Sequence, residues 1–186
     1  MIYLHTYSFE TSKKKTQKAQ SKQLLLNNIA HYLNLDHEDI QFTYSENGKP
    51  SVPGIFFSVS HSHNKLLQAF SFIGEIGLDI EYKNPKRKFL NLANRYFHAQ
   101  EALYLNTLTT TEAMHAFYTL WTTKEAICKE QGGRLWYYLS HNCLNEKNKM
   151  ITSFNGINII QINTLSQFSI SLATDFDDNC NVTYNE

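Results

Sequence analysis

From residue 12 onward the hydrophobic period of this chain changes three times. Apolar residues recur at helical spacing through Leu24, Leu25, Ile29 and Leu33, switch to period two across 55–82, return to helical spacing across 89–131, and revert to period two across 150–173. A helix-period segment does not settle in a sheet, nor a period-two segment in a helix, so the order predicts an α+β chain. Residues 1–9 alternate as one more strand. Helix followed by short antiparallel strands thus occurs twice, and the halves are expected to be 1–82 and 83–186. Neither a Gly/Ser-rich linker nor a clear repeat marks the junction. A chain of 186 residues accommodates one substantial core or two small lobes sharing an interface.

Local punctuation divides these blocks further. Asn47-Gly48-Lys49-Pro50 reads as a turn, because Asn-Gly favours positive backbone angles and proline resists continuation of a regular element. Runs at 55–60, 66–73 and 76–82 read as an antiparallel meander. Helices are expected at 89–94, 99–105 and 111–131, the last stopped by Gly132-Gly133, with strands at 150–154, 156–162 and 168–173 before a polar tail.

Composition removes several classes of function. Seventeen basic and 17 acidic residues cancel, which argues against general nucleic-acid binding. No apolar run is long enough to span a bilayer, and the first residues lack a basic leader, so a soluble cytoplasmic protein is expected. Cys128, Cys143 and Cys180 form no C-x-x-C pair, which points to reduced thiols.

Two segments carry chemistry. Alternation along 76–82 puts Ile76, Leu78 and Ile80 on one face and Gly77, Asp79 and Glu81 on the other. Paired carboxylates on a rigid strand suit a hard divalent cation, and Gly77 is expected to leave space beside Asp79. An ordinary half-exposed strand has the same alternation. In 111–131, Phe117, Trp121, Glu125 and Lys129 recur every four residues as one stripe; aromatic anchors would hold Glu125 and Lys129 in place, although a solvent-facing Glu-to-Lys pair reads alike. Ser58 to His63 ends a strand with hydroxyls and imidazoles able to bond phosphate or an adenine edge.

Taken together, NGKP at 47–50, SHS at 60–62, GLDIE at 77–81 and FYTLWTTKEAICK at 117–129 resemble the surfactin-type 4'-phosphopantetheinyl transferases. The last segment matches the family's F-x-x-x-W-x-x-K-E-A-x-x-K at every fixed position, and RYFHAQE at 95–101 is similar to its R-F-F-x-x-x-E element. The resemblance implies two α+β halves related by a pseudo-twofold axis, with coenzyme A in the shared cleft. By the same resemblance Asp79, Glu81 and Glu125 are the ligands of magnesium, or manganese in its place. His61 and Lys129 hold the pyrophosphate, and Gly48, Lys49, Pro50 and Ser60 form the adenine-side wall.

The implied reaction is attack by a serine of an apo acyl or peptidyl carrier protein on the β-phosphorus of coenzyme A, releasing 3',5'-adenosine bisphosphate. Glu125 is the candidate base, Lys129 and Asp79 its catalytic partners, and the implied enzyme is a monomer with no membrane or nucleic-acid partner. Lys124, about 100° away on the helix, serves the fold or the cofactor. Acidic carrier proteins imply a basic and apolar docking surface, for which Lys83, Lys86, Arg87, Lys88 and Phe89 are candidates, although an exposed helix start has the same composition. Two segments depart from the family: Gly132-Gly133-Arg134-Leu135 stands where G-x-G-L is usual, and lysines among residues 13–22 stand where arginines are usual. The competing reading is a silent coenzyme A- or carrier-binding module of the same fold.

Overall fold

The computed structural model describes residues 1–10, 13–177 and the backbone of 182–185; Ser12, Cys180 and part of the polar tail lie outside the described residues. Strand β1 (Ile2–Ser8) leads into helix α1 (Lys14–Leu33), which ends where Asn34 takes the left-handed conformation that asparagine tolerates. A short turn of 3-10 helix precedes β2 (Thr43–Tyr44) and β3 (Pro50–Ser51). Between these two strands Gly48 sits at φ +84°, so the Asn-Gly turn forms as expected; Pro50, instead of barring regular structure, opens β3. Strands β4 (Phe56–Ser62), β5 (Lys65–Ser71) and β6 (Ile76–Tyr82) follow.

The helical block contains α2 (Phe89–Tyr96), α3 (Ala99–Thr107), α4 (Thr110–Gln131) and the unanticipated α5 (Leu135–Leu139). A capping box between Thr109 and Glu112 starts α4, and Gly132 at φ +59° stops it. Strands β7 (Ser153–Phe154), β8 (Ile157–Gln161) and β9 (Phe168–Thr174) come next, and β10 (Val182–Asn185), which the polar tail did not signal, pairs parallel to β1.

Two four-stranded sheets result, ordered β10-β1-β5-β4 and β6-β9-β8-β7. The expected meander therefore fails at its third strand. β4 and β5 form a hairpin, but β6 crosses into the other sheet and pairs with β9, Asp79 opposite Ser171. Thus β6, which belongs to residues 1–82, is hydrogen-bonded into the sheet of residues 153–174. The reason lies in the separate demands of its two faces. Ile76, Leu78 and Ile80 join Ile170 and Leu172 against Ile2, Leu4, Leu67 and Ala69 of the first sheet, while the Gly77 face receives α4.

The architecture is consequently four layers. Helix α1 packs Leu25 and Ile29 on Phe57 and Phe70 of the first sheet; the two sheets face each other; α4 covers the second sheet. Phe117 and Trp121 anchor α4 among Phe89 and Phe97, as the four-residue stripe predicts. Phe89 is thereby removed from any docking surface, because it is buried in this core.

Gly77 corrects a second expectation. A Cβ there would lie 1.9 Å from the carbonyl oxygen of Ala126 and 2.4 Å from the amide nitrogen of Glu130, so the missing side chain admits the backbone of α4, not a ligand. Replacing Gly77 by Ala must push the helix off the strand, and we expect a loss on the order of 3 kcal/mol in urea unfolding. An unchanged midpoint would show that the contact is dispensable.

Candidate active site at the β6–α4 junction

Pressing α4 onto β6 sets the carboxylates of Asp79, Glu81 and Glu125 together, one oxygen from each lying within 4.8 Å of the others. Asp79 is 3% exposed, and its Oδ2 atom is buried without a hydrogen-bond partner among the described residues. Its Oδ1 atom is well supplied: the Lys129 ammonium donates at 2.7 Å and the Ser60 hydroxyl at 2.7 Å. Lys129 gives its other donors to Ser60 Oγ at 3.0 Å and the Leu78 carbonyl at 3.1 Å. The Ser62 hydroxyl donates to Glu81 Oε2 at 2.8 Å.

In this junction Glu81 and Glu125 are both harder to ionise than a free carboxylic acid. Burial first, and then the Asp79 charge, push Glu125 up to about 7. Glu81 is raised by the same two causes in the same order. An orphaned buried carboxylate oxygen beside two reluctant carboxylates is a donor set of hard oxygens, and it fits a divalent cation such as magnesium.

A cavity of about 280 Å³ opens beside this junction, lined among others by Asn47, Gly48, Lys49, Pro50, Lys129 and Gly133. The structure thus brings the NGKP turn to Lys129. Asn47 Nδ2 donates to the Gly132 carbonyl at 3.0 Å, Arg134 Nε donates to Asn47 Oδ1 at 3.3 Å, and Lys49 Nζ donates to Glu75 Oε2 at 2.5 Å and to the Glu130 carbonyl at 2.6 Å. Gly132 and Gly133 therefore form part of this wall, and Arg134 braces Asn47 behind it. His61 lies elsewhere: it is exposed, in a second cavity of about 520 Å³ with Phe9, Glu10, Lys14, Gln17 and His63. Ser62, which bonds Glu81, borders that second cavity, as Lys129, which bonds Asp79, borders the first. Ser60 is buried in the junction itself, with its hydroxyl committed to Asp79.

The sequence model of the 4'-phosphopantetheinyl transferase superfamily matches residues 75–179, more than half of the chain. The chain belongs to that superfamily. Among curated proteins it is 38% identical over 109 residues to a putative 4'-phosphopantetheinyl transferase of Synechocystis sp., 56% of this chain and 44% of that protein. It is 36% identical over 107 residues to the 4'-phosphopantetheinyl transferase Sfp of Bacillus subtilis, 56% and 46%. It is 34% identical over 103 residues to the 4'-phosphopantetheinyl transferase AcpT of Salmonella typhimurium, 54% of each. The matched stretch spans about half the length of these relatives. The superfamily match begins at Glu75, so the NGKP and SHS segments stand outside it.

The segments 95–101 and 117–129 meet in the core. Lys124 and Glu101 form an ion pair at 2.8 Å with both side chains fully buried, and Lys124 also donates to the His141 carbonyl while Glu101 accepts the Cys143 amide at 2.7 Å. Lys124 therefore serves the fold, which decides between the two roles open to it. Cys128 and Cys143 are free, each thiol pushed up to about 11 by burial.

Because Glu125 is raised above the ordinary carboxylate value, the ion-free fold retains a proton that the unfolded chain has lost. Stability from this group accordingly falls as pH rises from about 4.5 to about 7. A divalent cation that took Glu125 as a ligand would have to displace that proton. Saturating magnesium should raise the thermal midpoint clearly at about pH 8 and little at about pH 5.5. Equal shifts at both pH values would remove Glu125 from the ion site.

Proposed function

We propose that this chain transfers 4'-phosphopantetheine from coenzyme A to a serine hydroxyl of an apo acyl or peptidyl carrier protein. The observation that carries the reading is the convergence of Asp79, Glu81 and Glu125 beside a cavity walled by the NGKP turn and Lys129. Superfamily membership supplies the reaction class, and the named relatives are 4'-phosphopantetheinyl transferases.

In this proposal the serine oxygen forms a bond to the β-phosphorus, the bond from that phosphorus to the bridging oxygen breaks, and 3',5'-adenosine bisphosphate departs with the electron pair. Glu125 accepts the serine proton as general base, its carboxylate held at a fixed place on α4 beside the cavity. Asp79, Glu81 and Glu125 would hold magnesium or manganese, which when bound neutralises charge on the phosphoryl oxygens. Lys129, held 2.7 Å from Asp79 and lining the cavity, brings a positive charge to the same place. Gly48, Lys49 and Pro50 form the wall against which the adenine end lies. His61 reaches the pyrophosphate from the second cavity. Ser60 belongs to the adenine side in this reading only indirectly, since its hydroxyl is bonded to Asp79.

The protein is further proposed to work as a cytoplasmic monomer; among the described residues no helix is long and apolar enough to cross a membrane. Lys83, Lys86, Arg87 and Lys88 remain the proposed contact for an acidic carrier. Arg87 is the most restrained of them, its guanidinium 4.9 Å from the centre of the Trp121 ring.

Incubation with coenzyme A, magnesium and a panel of apo carrier proteins, followed by mass spectrometry of the carriers, tests the reading. Transfer to at least one carrier is expected, and a Glu125→Ala variant should stay folded while losing about 10²-fold or more of the rate. Binding of coenzyme A or a carrier without transfer would make the chain a silent module. Full turnover by Glu125→Ala would take the base role from Glu125.

A further inference from the structure

We propose that the alternating serines of β4 are positioning residues that orient the carboxylates of the triad, so that one sheet aims the ion-binding groups of the other. The inference rests on the ion site proposed above. Paired with β9 on one side, β6 turns the amides of Leu78, Ile80 and Tyr82 toward β4. Those amides donate to the hydroxyls of Ser58 at 2.9 Å, Ser60 at 3.3 Å and Ser62 at 3.0 Å. Side-chain hydroxyls thus replace the carbonyls of a regular ladder.

A hydroxyl, unlike a carbonyl, also has a proton to give. Ser60 gives it to Asp79 Oδ1 and Ser62 to Glu81 Oε2. Each is therefore held by a β6 amide and grips the carboxylate of the residue before that amide. Ser60 saturates its capacity, accepting from Ile80 and Lys129 while donating to Asp79. The grip decides which oxygen stays available: with Oδ1 occupied by Ser60 and Lys129, Asp79 presents the unpartnered Oδ2. Glu81, a longer side chain with more torsions to fix, is steadied through Oε2. Ser58 performs the sheet-joining half of this task alone, because the residue before Leu78 is Gly77.

Ser58 therefore supplies an internal control. Magnesium affinity is measured by titration calorimetry on the purified chain without coenzyme A, with circular dichroism to verify folding. Ser62→Ala is expected to weaken magnesium binding about tenfold or more, and Ser62→Thr to restore most of it. Ser62→Val, which matches threonine in shape but lacks the hydroxyl, should behave like Ser62→Ala. Ser58→Ala, losing the same kind of sheet bond, should remain within about twofold of the unaltered chain. Unchanged affinity in Ser62→Ala and Ser62→Val, or an equal loss in Ser58→Ala, would overturn the inference and leave the transferase reading standing if carrier modification persists. Absence of magnesium binding by the unaltered chain would overturn the ion site and this inference together.

Discussion

Everything at the site depends on how closely α4 approaches β6. The contact occurs at Gly77, where the carbonyl of Ala126 and the amide of Glu130 occupy the space a side chain would need. That approach places residue 125 of the helix over residues 79 and 81 of the strand, and the triad is its direct product. It also creates the electrostatic difficulty of the site, since burial, and after it the Asp79 charge, raise both Glu81 and Glu125. Apolar contacts on either side sustain the arrangement: the inter-sheet core beneath β6, and the Phe89, Phe97, Phe117 and Trp121 cluster around α4. A junction that destabilises its own charges is thus held by packing that lies outside it.

Polar groups complete the frame. Lys124, one residue before Glu125, is neutralised by Glu101 of α3, so the buried pair fixes the helix without adding net charge to the triad. Breaking one member of such a pair leaves an uncompensated charge in the core, which costs about 3–5 kcal/mol. Lys129 does the opposite. It points into the triad and lowers the Glu125 pKa against the larger effects of burial and Asp79. Two lysines five positions apart on one helix thus take separate tasks because the helix turns them toward different surroundings.

How much of this could be read from residue order follows from the range of each signal. The Ile76, Leu78, Ile80 face and the opposed Asp79 and Glu81 were legible because strand alternation is local, and the Phe117 to Lys129 stripe was legible because helix periodicity is local too. The destination of β6 was not. A strand that follows a hairpin after a short turn reads as its third member, and only the long-range fit to β9 sends it elsewhere. Gly77 was singled out for the right position and the wrong neighbour, since a glycine signals close approach without naming what approaches. The Ser58, Ser60, Ser62 alternation stood in plain view, yet its target is a strand edge 20 positions away, and the hydroxyls read equally well as phosphate contacts. Strand β10 escaped because its segment is polar and its partner is the other end of the chain.

The serines also explain why the two sheets must be considered together. Hydrogen bonds between β4 and β6 run through side chains and therefore demand a particular residue at alternate positions, whereas backbone ladders accept almost any sequence. Asn47 and Lys49 make a second set of ties, from the NGKP turn to the carbonyls of Gly132 and Glu130 at the end of α4. One set meets the carboxylates and the other spans the wall of the neighbouring cavity. Any displacement of the first sheet relative to α4 would then alter the carboxylates and the cavity together. The second sheet and α4 carry the triad, whereas the serines that grip it and part of the cavity wall come from the first sheet and the NGKP turn, so the complete site depends on the contact between the layers.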